Sequence, residues 1–206
     1  IAIKNTLECI GCKRETKFGL TCLSCKKDNS VDQLLIAADL SNASVDKMIK
    51  AYKYKFIPDL SLPLSVIAKK SVKKLLNKKF NLFDDNPLLI PVPLHKKRLN
   101  WRGFNQAGLL AKSIADSYHI SYNSDVLTRI SSPKHQADIK TREERLNNVK
   151  NNFAVIDPEA VKGKTIILVD DICTTGATLN ECARVLKNQP TGGGAKRVIG
   201  FVIARG

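Results

Sequence analysis

The stretch TIILVDDICTTGATL, residues 165–179, constrains the fold of this chain more than any other. Thr165 to Val169 is a continuous apolar run rather than an alternating one, so it reads as a strand covered on both faces. Two adjacent carboxylates, Asp170 and Asp171, close that strand, and a turn of small residues follows. Leu179, Cys182, Ala183 and Leu186 then recur at helical spacing. Strand, tight turn and helix in this order are the building unit of an open parallel α/β sheet.

In such sheets ligands bind at the carboxyl ends of the strands. Two acceptor-only carboxylates there suit the vicinal hydroxyls of a ribose. The turn from Cys173 to Thr178 has hydroxyls at Thr174, Thr175 and Thr178 and little bulk at Gly176 and Ala177. Its N–H groups can wrap a phosphate at the positive end of the next helix. One ligand carries both groups, a ribose 5-phosphate. An NTPase reading competes, because apolar residues followed by Asp-Asp resemble a Walker-B strand and Gly163–Thr165 spells GKT. Position 158, however, is Pro rather than the first Gly of a P-loop, and a strand follows instead of a helix. An ordinary strand with a capped helix is the plain alternative. Cys173 reads as a small packing residue whose thiol would be reactive only if exposed.

The same strand–helix alternation extends over residues 87–206. PLLIPVPLH (87–95) reads as a strand punctuated by prolines, and Ala107, Leu110, Ala111, Ile114 and Ala115 as a buried helix face. Leu127 to Ile130 reads as a strand, Thr141 with Glu144 as a capping box, and RVIGFVIA as the last strand. The expected fold class is therefore α/β, a parallel sheet flanked by helices. Before it, residues 31–86 read as a helical lead-in. Val45, Met48, Ile49 and Tyr52 mark one apolar face, and Leu64, Ile67, Ala68, Val72, Leu75 and Leu76 another. The second helix alternates with Lys69, Lys70, Lys73, Lys74, Lys78 and Lys79, either a solvated face or a stripe along a phosphate backbone.

Residues 1–30 form a separate cysteine-bearing module. Cys9-x2-Cys12 and Cys22-x2-Cys25 are paired knuckles whose four thiolates suit one tetrahedral zinc ion. A site closed by four thiolates keeps no open position, so the metal is expected to be structural. The other two of the six cysteines lie far away, which is no disulfide framework. A reducing cytoplasm is the compartment this usage implies. The opening IAIKNTLECIGCK carries no signal-peptide core, and no apolar run reaches about 18 residues, so no segment is expected to span a bilayer. The formal net charge of +15 favours polyanionic partners, nucleic acid first, then phosphorylated small molecules, then an anionic membrane surface.

ILVDDICTTGAT resembles the signature of type I phosphoribosyltransferases, which bind phosphoribosyl pyrophosphate (PRPP). The segment PVPLHKKRLNWRGFNQAGLLA (91–111), the cysteine knuckles, YKYK at 52–55, REERLNNV (142–149) and the terminal VIARG narrow the likeness to the ComF family, the competence protein F group. The resemblance covers essentially the whole chain. It implies a phosphoribosyltransferase-type domain over 31–206, with Asp170 and Asp171 at the ribose hydroxyls and Thr174, Thr175, Gly176, Ala177 and Thr178 at the 5-phosphate. The loop after the 88–94 strand would serve the pyrophosphate through Arg98, Arg102 and Gly103, with Asn105 and Gln106 beside them; Arg forks suit phosphate oxygens. The plain alternative is that Trp101 and Phe104 pack this loop while its charges face water; His95 is expected to be a structural hydrogen-bonder. Residues 132–145 would correspond to a loop over the ligand, with Lys134, Gln136 and Arg145 as contacts. Mg2+ would accompany PRPP. The implied role is natural transformation, handling incoming single-stranded DNA on the cytoplasmic side of a membrane, with helicase-like and channel partners. Whether the pocket also turns over, as a phosphoribosyltransferase with an acceptor the sequence does not identify, stays open, as does a purely recruiting role.

Overall fold

The computed structural model describes residues 3–55, 57–78, 80, 82, 86–130, 149–188 and 193–206. Five strands form one wholly parallel sheet: β1 (Gln33–Ile36), β2 (Leu88–Pro91), β3 (Ser121–Tyr122), β6 (Thr165–Cys173) and β7 (Arg197–Arg205). Their spatial order is β1-β7-β6-β2-β3. The continuous apolar run lies at the centre, with Ile166 opposite Leu88 on one side and Val198 on the other. Every residue from Thr165 to Val169 is buried, which is why the run does not alternate. A separate antiparallel ribbon pairs β4 (Leu127–Arg129) with β5 (Phe153–Val155).

The helices are α1 (Leu23–Lys26), α2 (Ala43–Tyr54), α3 (Ser61–Asn77), α4 (Lys96–Arg102), α5 (Gln106–Tyr118) and α6 (Ala177–Lys187). The apolar stripes read from the sequence face the core, with Met48 and Leu76 only partly buried. Val45, Ile49 and Tyr52 are buried on α2, and Leu64, Ile67, Ala68, Val72 and Leu75 on α3. All five expected residues of α5 and all four of α6 are buried as well. From β2 the chain crosses through α5 to β3 on one side, and from β6 through α6 to β7 on the other. Right-handed crossovers running in opposite directions put α5 and α6 on opposite faces. The carboxyl ends of β2 and β6 therefore diverge, opening the crevice where ligands bind in such sheets.

The segment read as a helical lead-in opens with a strand, β1, which extends the sheet beyond β7. All four of its residues are buried, so it has neither the alternation nor the length that identifies a strand. The segment between β2 and α5, read as a loop, contains α4. His95 caps it by accepting from the Lys97 N–H at 3.2 Å, and Gly103 ends it at φ +80°. The capping box at Thr141 and Glu144 lies outside the described residues. No described helix is long and apolar enough to cross a membrane.

Candidate functional site

The crevice holds a cavity of about 320 Å³ lined by Asp170, by residues 172–179 and by Tyr54. Its floor is the turn from β6 into α6. Gly176 has φ +82°, a left-handed backbone that favours glycine, and it stands as the N-cap of α6. Its carbonyl accepts the first helical hydrogen bond, from the Asn180 N–H at 2.8 Å. The Thr175 hydroxyl accepts from the Ala177 N–H at 3.3 Å. The N–H groups of the first helical turn point along the axis into the cavity end, as helix geometry requires. Thr174, Thr175, Gly176, Ala177 and Thr178 thus come together as one lining surface.

The two acids part company. Side chains alternate along a strand, and β6 continues past the pair to Cys173, which stands opposite Arg205. Asp170 therefore faces the cavity, whereas the Asp171 side chain is 5% exposed and pairs with Lys53 Nζ at 2.9 Å. The Asp171 N–H donates to Asp170 Oδ1 at 2.8 Å. Burial, with the neighbouring Asp171 charge, pushes the Asp170 carboxyl up to about 7. The Cys173 thiol, buried beside them, is pushed up to about 11 by that burial, which suits packing rather than reactivity.

Arg98, Arg102 and Gly103 lie on and just after α4, outside the lining of this cavity. Arg102 donates from Nη1 to Gln106 Oε1 at 2.7 Å. Burial pushes its guanidinium down, with the Asp171 carboxylate opposing the shift. Asn105 caps α5 by accepting from the Ala107 N–H and ties the loop down by donating to the Val92 carbonyl, both at 3.1 Å. His95 is a capping residue, as expected. Phe104 packs against Tyr52 at 5.7 Å between ring centroids, whereas Trp101 is 71% exposed. Lys134, Gln136 and Arg145 lie outside the described residues.

Three contributors were missed. Lys53 neutralises Asp171 from a helix more than 100 residues earlier, a pairing that no local pattern signals. Tyr54 lines the cavity; it entered the sequence reading only as part of YKYK, with no role of its own. Arg129 on β4 is buried, with its guanidinium 5.1 Å from the Phe153 ring centre. Its Nε and Nη2 find no hydrogen-bond partner among the described residues. Burial pushes it down, and Arg98 and Asp170 are among the charges it senses.

The four early cysteines converge. Their sulfur atoms all lie within 4.8 Å of one another, with Cys22 Sγ 3.7 Å from both Cys9 Sγ and Cys12 Sγ. A tetrahedron with metal–sulfur bonds of about 2.3 Å has edges of about 3.8 Å, so the donor set fits one such ion. Arg14 Nε donates to Cys12 Sγ at 3.4 Å, and that contact brings the thiol down to about 6. This knuckle packs against the turn from Thr174 to Thr178. A Cβ on Gly176 would stand 2.8 Å from Ile10 Cγ1. Arg205, at the end of β7, donates to the carbonyls of Cys9 and Ile10 at 2.9 and 2.6 Å and pairs with Glu8 at 3.1 Å.

Comparison with known proteins agrees with this geometry. A family model described as phosphoribosyl transferase domain matches residues 102–204. The chain is 31% identical over 204 residues to competence protein ComFC of Bacillus subtilis, covering 96% of this chain and 77% of that protein. It is 37% identical over 98 residues to DNA utilization protein YhgH of Escherichia coli O157:H7, and 33% identical over 100 residues to competence protein F of Haemophilus influenzae. Each of these two matches spans 48% of this chain and less than half of the relative, 42% and 43%.

Proposed function

Because the chain belongs to the ComF family of the phosphoribosyltransferase superfamily, we propose that it is a natural-transformation protein that handles incoming single-stranded DNA. Its crevice binds PRPP or a related ribose 5-phosphate. The observation that carries the ligand reading is the cavity in which Asp170 faces the neutral turn from Thr174 to Thr178. The turn and helix end take the phosphate, and Asp170 accepts from a sugar hydroxyl. The Asp171–Lys53 pair supports that task by fixing the strand rather than by touching the sugar. Arg98 and Arg102 serve a pyrophosphate from across the crevice. Arg129 supports an anionic ligand too, since a buried guanidinium short of partners is costly until an anion approaches. A magnesium ion accompanies PRPP in this reading, and Asp170 is the one carboxylate lining the cavity among the described residues.

The cysteine cluster holds a structural zinc ion. DNA handling draws on the basic surface. A second cavity, of about 270 Å³, lies between the cysteine module and α3, and Lys4, Lys17, Lys74, Lys78 and Phe18 are among its lining. Cations beside an aromatic ring suit a single strand, whose backbone needs charge and whose bases stack.

Calorimetry with ribose 5-phosphate and with PRPP plus magnesium tests the ligand reading. Binding is expected for the parent chain, with a loss of at least about tenfold in Asp170→Ala, the scale of a charged hydrogen bond. Equal affinities in parent and variant would reject Asp170 as the sugar contact.

A further inference from the structure

We propose that Arg205 and Asn180 are positioning residues that hold the turn from Thr174 to Thr178 against the cysteine module, so that zinc in the module and a ligand in the crevice strengthen each other's binding. This rests on the ribose 5-phosphate and zinc readings and adds a coupling between them. The turn is tied to the module before, within and after its length. Before it, Cys173 stands opposite Arg205, and its carbonyl accepts from the Gly206 N–H at 2.9 Å. The Arg205 side chain is only 3% exposed; its two terminal nitrogens donate to the successive carbonyls of Cys9 and Ile10, and Glu8 balances its charge. Within the turn, Ile10 fills the space beside Gly176. After it, Asn180 in the first turn of α6 accepts from the Ser30 N–H at 2.5 Å and donates to the Asp28 carbonyl at 3.3 Å.

All of these partners depend on the fold of the two knuckles. Cys9 and Ile10 belong to the first. Asp28 and Ser30 follow the second, where Asn29 Nδ2 donates to the Cys25 carbonyl at 2.8 Å and the Asp28 N–H to the same carbonyl at 3.2 Å. Small four-thiolate modules take much of their folding free energy from metal binding. Once the thiolates are uncoordinated, the carbonyls of Cys9 and Ile10 lose their common orientation, and a buried guanidinium is left short of acceptors. The turn then gains backbone freedom that an incoming phosphate has to remove. Ligand therefore favours the held turn, and the held turn favours the folded module. By linkage, zinc and ligand raise each other's affinity by one common factor. The planar fork of an arginine suits two successive carbonyls, a geometry that a lysine ammonium does not reproduce.

Two measurements on the full chain test this: the partition of zinc between protein and a competing chelator, with and without saturating ribose 5-phosphate, and amide hydrogen exchange at residues 174–180 in zinc-loaded and stripped protein. In the parent, ribose 5-phosphate is expected to tighten the hold on zinc at least about tenfold, within the usual range of coupling between sites. Stripping is expected to speed exchange across the turn while α3 and α5 keep their protection. Asn180→Ala removes two hydrogen bonds and no buried charge, and Arg205→Lys keeps the charge but loses the fork; each is expected to lose most of both effects. An unchanged zinc partition with ribose 5-phosphate bound, unchanged exchange on stripping, or parental coupling in either folded variant would overturn the proposal. If the parent does not bind ribose 5-phosphate, yet stripping speeds exchange in a way that both variants abolish, the positioning role is upheld and the sugar-phosphate reading alone is rejected.

Discussion

Asp171 spends its charge on Lys53, whereas Asp170 keeps its carboxylate toward the cavity in an environment that disfavours ionisation. With its folded value raised to about 7 against about 3.9 in an unfolded chain, Asp170 holds its proton more tightly when folded. Its contribution to stability is therefore complete below about pH 4 and lost as the pH rises to about 7. Asp170→Asn, which cannot ionise, is expected to melt progressively higher relative to the parent between pH 4 and pH 8. A difference in melting temperature that stays constant over that range would contradict the assigned environment. The acid pair was legible as a pair in the sequence; its division was not. That division depends on β6 running on through Ile172 to Cys173, where Thr174 and Gly176 invite an earlier end to the strand. Lys53 and Arg129 were invisible for a different reason, since their roles come from residues far away in the chain.

At the scale of elements, legibility followed length and apolar periodicity. α3, α5, α6 and β6 each carry enough buried residues in register to declare themselves. β1, β3 and β5 have two to four residues apiece, too few for a pattern, whereas β4 was read from the sequence but not its antiparallel pairing with β5. α4 has no buried face at all, and only its capping residues, His95 and Gly103, announce it. The knuckle spacing revealed the cysteine cluster but not its neighbour, because Ile10 meets Gly176 across most of the chain. That contact makes the cysteine module a wall behind the turn from Thr174 to Thr178. Metal analysis is expected to find about one zinc per chain, and stripping it with a chelator should weaken ribose 5-phosphate binding at least about tenfold while the sheet keeps its circular dichroism. Unchanged affinity in the stripped protein would separate the knuckle from the site.

For the whole molecule, a charge of +15 favours association with polyanions, but charge alone does not choose a path for them. The path proposed above is the cavity between the cysteine module and α3, with Lys17 lying 5.8 Å from the Phe18 ring centre and Lys78 exposed. Replacing Lys17 and Lys78 together by Ala is expected to weaken binding of a single-stranded oligonucleotide and to reduce the slope of log affinity against log salt by about 1.4, given about 0.7 per phosphate contact on single strands. An unaltered slope would move the DNA path elsewhere on the molecule. The ligand cavity rests on a more specific arrangement, in which Asp170, a left-handed Gly176 and the first turn of α6 are presented together where the crossovers of β2 and β6 diverge. The most direct test is a crystal structure of the chain with PRPP and magnesium. The account predicts the 5-phosphate on the N–H groups following Thr174, with a ribose hydroxyl at Asp170. Density for the ligand elsewhere, with this cavity holding only solvent, would contradict it.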